Sequence, residues 1–221
     1  MEMEDIALLA RSDLFSAFGE TALQSLLVAA KPLDASRNVS IFSEGDPAGE
    51  LFVVRSGRIA IGRRSADGRE SLVALMEQGD IFGEMSLFDG GERSASARAL
   101  ESSRLLSIPY QPVKEAIDAR PELLWEVVRL LAERLRATDS ALADAVFLDV
   151  TGRTAKRLLE LAGDADEFPL PITQEELAGL IGASRERVNK SIAAFVRLGW
   201  IELSERHYKI IQRQRLEQRA R

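Results

Sequence analysis

The sequence predicts an α+β fold: two short helices, an antiparallel β jelly roll, one long helix and a C-terminal winged helix-turn-helix. Three observations carry this. Short β-rich runs between residues 39 and 109 alternate with turn signals at near-regular spacing, as in a β-barrel or jelly roll. A 3.5-residue apolar repeat follows from Leu124 to Ala145, the period of a helix that meets a partner along one seam. Near the C-terminus a capping box at Thr173 and a glycine turn at Gly182 set off two amphipathic segments, the layout of a helix-turn-helix.

At the start, Leu14, Phe18, Leu23, Leu26 and Leu27 fall at helical spacing and predict two short helices within 6–30. The β-rich runs are 51–54, 59–62, 72–76 and 105–108, punctuated by Gly45-Asp46-Pro47, Gly57, Asp67-Gly68, Gly79-Asp80 and Gly90-Gly91. Asp67-Gly68 is a hairpin signal. Helical patterning returns after Pro112, and Pro121 suits a first helical turn. Then Leu124, Val128, Leu131, Leu135, Thr138, Leu142 and Ala145 alternate steps of four and three. Such a seam pairs two subunits or packs a helix on its own barrel; the strict period favours a homodimer. Polar Thr138 weakens that seam and calls for a functional reason.

The 151–162 segment reads as an amphipathic helix with Ala155, Leu158, Leu159 and Ala162 inward, and 164–171 as a loop broken by Pro169 and Pro171. Thr173 and Glu176 make the capping box, Gly182 ends that helix, and Ser184 caps a second from 185 to about 198. In it Val188, Ile192, Phe195, Val196 and Leu198 point inward, and Arg185, Glu186, Arg187, Asn189 and Lys190 outward. Arginine pairs with guanine and glutamate accepts from cytosine, so this face suits base reading; a merely solvated charged face is the alternative. A small hairpin wing follows, 199–203 and 208–211. The expected division is 1–120, a linking helix and hinge at 121–148, and 149–221.

The chain has 221 residues, 46% of them apolar, enough for packed cores. It has no cysteine, which excludes disulfides and thiolate metal sites. Its one histidine, His207, falls in the wing and suits a surface or phosphate-adjacent role rather than a metal. With no apolar run of membrane length and no basic leader, a cytoplasmic protein without a membrane partner is expected. Residues 1–149 carry 16 Lys+Arg against 25 Asp+Glu, and residues 150–221 carry 13 against 10. An acidic module thus precedes one able to approach a polyanion.

The segment 83–95 is the densest in chemistry: Gly83-Glu84-Met85-Ser86, a Gly90-Gly91 turn, then Arg93-Ser94-Ala95. A glycine-opened helical turn offers backbone N–H groups to an anion. Arg93 adds a guanidinium fork and Ser94 a hydroxyl donor, while Glu84 accepts from a sugar hydroxyl.

Three motifs in order, Gly83-Glu84 with Arg93-Ser94-Ala95, Phe147-Leu148-Asp149-Val150-Thr151-Gly152-Arg153, and Gly182-Ala183-Ser184-Arg185-Glu186, resemble the cyclic-AMP receptor protein family, also called catabolite activator proteins. The likeness covers nearly the whole chain. It implies a cyclic-nucleotide-binding β-roll, a dimerisation helix and a DNA-binding winged helix-turn-helix. It places Arg93 and Ser94 on the cyclic phosphate of cyclic AMP and Glu84 on the ribose 2′-hydroxyl, with Gly83, Met85, Ser86 and Ala95 completing the cassette. Thr138 then meets the adenine amino group, and residues 147–149 form the hinge. The implied DNA-contacting set is Thr173, Ser184, Arg185, Glu186, Arg187, Asn189 and Lys190, with Arg185, Glu186 and Lys190 on base edges. The implied partners are a palindromic double-stranded DNA operator, a second subunit and RNA polymerase; no metal is implied. At Asp139 well-studied members carry serine or asparagine, and a carboxylate there accepts but does not donate. Arg187 and Asn189 also depart from common family residues. The competing expectations are a regulator that is ligand-independent or takes cyclic GMP or cyclic di-GMP, and a nucleotide sensor acting through protein contacts. No paired acid and base or nucleophile–histidine set points to an enzyme.

Overall fold

The computed structural model describes residues 2–64, 70–205 and 207–221. The Asp67-Gly68 turn signal lies outside them. The chain divides into two compact units, one running to Leu135 apart from residues 70–72, the other comprising Arg136–Arg221 with Glu70–Leu72.

The first unit opens with α1 (Glu2–Arg11) and α2 (Glu20–Ala29). Eight strands follow among the described residues: β1 (Lys31–Ala35), β2 (Ser40–Phe42), β3 (Glu50–Ser56), β4 (Ile59–Arg64), β5 (Glu70–Met76), β6 (Ile81–Phe82), β7 (Ser96–Ala99) and β8 (Ser103–Pro109). They form two sheets, ordered β1-β8-β3-β6 and β2-β7-β4-β5. The pairings of β1 with β8, β3 with β8 and β4 with β7 are antiparallel. Leu51-Phe52-Val53-Val54 in β3 is apolar on both faces for a reason. Phe52 and Val54 join Ala35, Ile59, Phe82, Ala97 and Leu105 in the inter-sheet core. Leu51 and Val53 meet Leu14, Phe18, Leu23, Leu26, Val113 and Val127 in the helix-covered core. A strand covered on both sides loses its polar alternation.

A short α3 (Met85–Asp89) interrupts the roll, and α4 (Tyr110–Ala119) follows it. Pro121–Leu123 makes a 3-10 turn that leads into α5 (Leu124–Phe147). Helix α5 has two apolar faces. Leu123 just before it, and Val127 and Leu130 within it, are buried in the helix-covered core. Leu124, Val128, Leu131, Leu135 and Leu142, the heptad positions, are 38–63% exposed. The two readings of the seam therefore fall on different faces, and the heptad face is bare in the single chain.

The second unit contains α6 (Val150–Ala162), β9 (Glu167–Pro169), α7 (Gln174–Ile181), α8 (Arg185–Arg197), β10 (Ile201–Ser204), β11 (His207–Ile210) and α9 (Arg213–Arg219). Two sequence expectations need correction, and one helix was not expected. The 164–171 loop contains β9, which joins the wing as an edge strand in the order β10-β11-β9; proline is tolerated at such an edge. Val196 and Leu198 are 41% and 52% exposed rather than inward, while Val188, Ile192 and Phe195 are buried. Helix α9 follows the wing, anchored by fully buried Leu216 and by Arg213, which donates to the carbonyls of Gly163 and Ala165 at 2.9 and 2.6 Å. No helix among the described residues is long and apolar enough to cross a membrane.

Candidate functional site

The 83–95 cassette hangs between β6 and β7. Gly83 follows β6 with φ +77°, and Glu84 precedes α3. A left-handed glycine, Gly90, ends α3 with its N–H on the Ser86 carbonyl, and the Ser86 hydroxyl donates to the Glu92 carbonyl at 3.0 Å. These bonds fold the segment back on itself and bring position 93 to position 83.

Arg93 is only 5% exposed. Its Nη1 donates to the Gly83 carbonyl at 2.8 Å and to the Tyr110 hydroxyl at 3.1 Å, and that hydroxyl also donates to the Gly83 carbonyl. Its guanidinium carbon sits 4.2 Å from the Phe42 ring centre. A Cβ at Gly83 would stand 2.6 Å from Arg93 Nη1. The glycine is thus required twice, by its backbone angle and by the seat of the arginine. Ser94 is exposed, its hydroxyl 3.5 Å from the Met85 sulfur; Met85 is exposed and Ala95 half-buried.

Glu84 is wholly buried. One carboxylate oxygen pairs with Arg134 of α5, which also donates to the Ile81 carbonyl at 2.7 Å. Burial raises the Glu84 pKa, opposed by the nearby Arg134 and Arg93 charges. Burial likewise raises the Tyr110 phenol. Two atoms at this site are buried without partners: Glu84 Oε2 and Arg93 Nε. One can only accept and the other only donate.

The structure thus brings Gly83, Glu84, Ser86 and Arg93 together, with Met85, Ser94 and Ala95 at their edge. Thr138 and Asp139 are exposed on α5, in the second unit. Sequence reasoning missed Arg134, Tyr110 and Phe42. Arg134 left one signal, a charge four residues before Thr138 and flanked by seam leucines. Phe42 and Tyr110 left none, since each reads as an ordinary core aromatic.

In the second unit the Thr173 hydroxyl accepts from Glu176 N at 3.2 Å while Glu176 accepts from Thr173 N at 2.7 Å, completing the capping box. Gly182 caps α7 at φ +66°, and the Ser184 hydroxyl accepts from Arg187 N at 3.4 Å. Arg185, Glu186, Arg187 and Lys190 are exposed, whereas Asn189 is half-buried with its Oδ1 enclosed and unpartnered. Lys190 pairs with Glu186 at 2.7 Å and lowers its pKa; both ends lie in water, so the pair opens at little cost. A cleft of about 260 Å³ lies between the start of α6 and α8, lined by Asp149, Val150, Thr151, Arg187 and Lys190 among others. Asp149 caps α6 by accepting from Gly152 N at 2.8 Å. No group of three or more His, Cys, Asp or Glu that could hold a metal ion occurs among the described residues.

Comparison with known proteins gives this arrangement a family. Residues 33–120 match the cyclic nucleotide-binding domain family and residues 152–219 the Crp-like helix-turn-helix domain family. The chain is 42% identical over 221 residues to a CRP-like cAMP-activated global transcriptional regulator of Mycobacterium tuberculosis, covering 97% of this chain and 99% of the relative. Among solved structures it is similar to the catabolite activator protein of Thermus thermophilus, at 33% identity and a TM-score of 0.54, covering 95% of this chain and 98% of that one. It is also similar to the c-di-GMP responsive global regulator CLP of Xanthomonas campestris, at 25% identity and a TM-score of 0.75, covering 86% and 98%. The chain belongs to the cyclic-AMP receptor protein family of transcriptional regulators, joining a cyclic nucleotide-binding domain to a Crp-like helix-turn-helix.

Proposed function

We propose that this protein is a homodimeric, cytoplasmic DNA-binding regulator that responds to cyclic AMP and works by binding rather than catalysis. The observation that carries the reading is the pair of buried, unpartnered atoms in the cassette, Glu84 Oε2 and Arg93 Nε. Each such atom costs about 1–3 kcal/mol while it lacks a partner. A ribose 2′-hydroxyl supplies a donor to the first, and a cyclic phosphate supplies an acceptor to the second. Ser94 adds a hydroxyl for the phosphate, and Gly83, Met85, Ser86 and Ala95 enclose the sugar-phosphate. Thr138 takes the adenine amino group, with Asp139 beside it.

The functional division is 1–120 for the nucleotide, 121–148 for dimerisation and hinge, and 149–221 for DNA. The bare heptad face of α5 supports the dimer. Arg185, Glu186 and Lys190 read bases. Arg187 meets phosphates from the cleft at the start of α6, and Thr173, Ser184 and Asn189 set the helices on the groove. RNA polymerase is the onward partner. For nucleotide to act as a switch it must bind two arrangements of the hinge with different affinity.

Calorimetric titration with cyclic AMP tests the pocket. R93A is expected to lose about a hundredfold in affinity, two charge-assisted bonds' worth; wild-type affinity in that variant would overturn the assignment. DNA binding at fixed salt with and without nucleotide tests the coupling. A second reading, response to cyclic GMP or cyclic di-GMP, is favoured by Asp139, an acceptor at the base end where family members carry a donor. Tighter binding of either nucleotide than of cyclic AMP would select it.

A further inference from the structure

The groups that hold Arg93 are all neutral. They are one backbone carbonyl, one phenol and the faces of Phe42 and Phe52, the latter 5.5 Å from the guanidinium carbon. Most buried arginines are neutralised by a carboxylate. Here only neutral groups touch the guanidinium, the nearby Glu84 carboxylate acts on it without a hydrogen bond, and Nε is buried and unpartnered.

The ring under the guanidinium is itself fixed. Phe42 ends β2 and packs on Phe52 and Phe82 at 5.7 and 6.0 Å between centres, and those two stack at 5.2 Å. A Cβ at Gly83 would also reach to 3.4 Å from the Phe42 ring. Ring, glycine and arginine are therefore fitted to one another. We propose that Phe42 is a positioning residue for the ligand: its ring, backed by Phe52 and Phe82, sets the Arg93 guanidinium to receive an anionic phosphate without neutralising it. A carboxylate in this role would compete with the phosphate; an aromatic face attracts the cation yet leaves its charge available. The inference rests on the pocket assignment above.

Titration of the full-length protein with cyclic AMP separates the two. F42L keeps an apolar side chain of similar bulk and removes the π face, while F42Y keeps the face. The expected result is about a fivefold loss of affinity for F42L, the size of a shielded cation–π contact. F42Y should stay within about twofold of wild type and keep its thermal midpoint without nucleotide. Wild-type affinity in F42L, alongside a large loss in R93A, would overturn the role of Phe42 and leave the pocket standing. Wild-type affinity in R93A would remove both. Equal losses in F42L and F42Y, with lowered midpoints, would make the ring simple core packing and also overturn the proposal.

Discussion

Glu84 joins a catalogue of burial, charge and vacancy in one side chain. It has no exposed surface, one oxygen on Arg134 and one unpartnered. Removing the arginine leaves a buried carboxylate unpaired. R134L should lower stability by about 2 kcal/mol, less than a fully buried pair would lose because Arg134 is partly in water; thermal unfolding of the nucleotide-free protein checks this. The raised pKa of Glu84 sets a sign. Its contribution to stability is present below the ordinary carboxylate value and is lost as pH rises through its folded value. Nucleotide affinity should move the other way, rising with pH over the same window, since an ionised carboxylate is the better acceptor for a ribose hydroxyl. Calorimetry in two buffers of different ionisation enthalpy would register proton release on binding. At this scale Glu84 and Arg93 were legible because they share a short motif with a glycine and a serine. Arg134 was not, because its partner lies fifty residues away in sequence and a helical pattern gives a face without naming what it meets.

Among elements, α5 carries two apolar faces where the sequence presents one seam with two alternative uses. Val127 and Leu130 close the core of their own unit, while the heptad face stays bare. L135E should leave each subunit folded and convert a dimer to a monomer in sedimentation velocity, because Leu135 is an exposed heptad position. Helix α8 depends on its start. S184A removes the acceptor for Arg187 N and should cost about 1 kcal/mol, read by urea unfolding. β3 was legible as an unbroken apolar run. β1 was not: Lys31-Pro32-Leu33-Asp34-Ala35 has little β character, and it pairs on one side only, as the edge next to β8. β9 hid behind its proline for the same reason. α9 was invisible because Leu216 is its one buried apolar residue and arginine bonds do the rest.

For the whole molecule, charge separation decides how the chain meets its partner. The acidic first part repels nucleic acid and the weakly basic second part approaches it, so DNA affinity should fall steeply with salt. R187A should weaken binding to all sequences alike and reduce the salt slope by about 1, whereas R185A should relax the preference at one base pair. Fluorescence anisotropy across a salt series distinguishes the two. The split into an acidic and a basic part was readable from residue counts alone; the cleft that puts Arg187 and Lys190 beside the start of α6 was not, since it joins segments some forty residues apart. If two chains pair along the exposed heptad face of α5, two versions made together assort into dimers by chance. With equal amounts of normal chain and a chain that cannot read DNA, about a quarter of the dimers would carry two working readers. A single defective gene copy would then act dominantly, silencing about half of the product of the intact one.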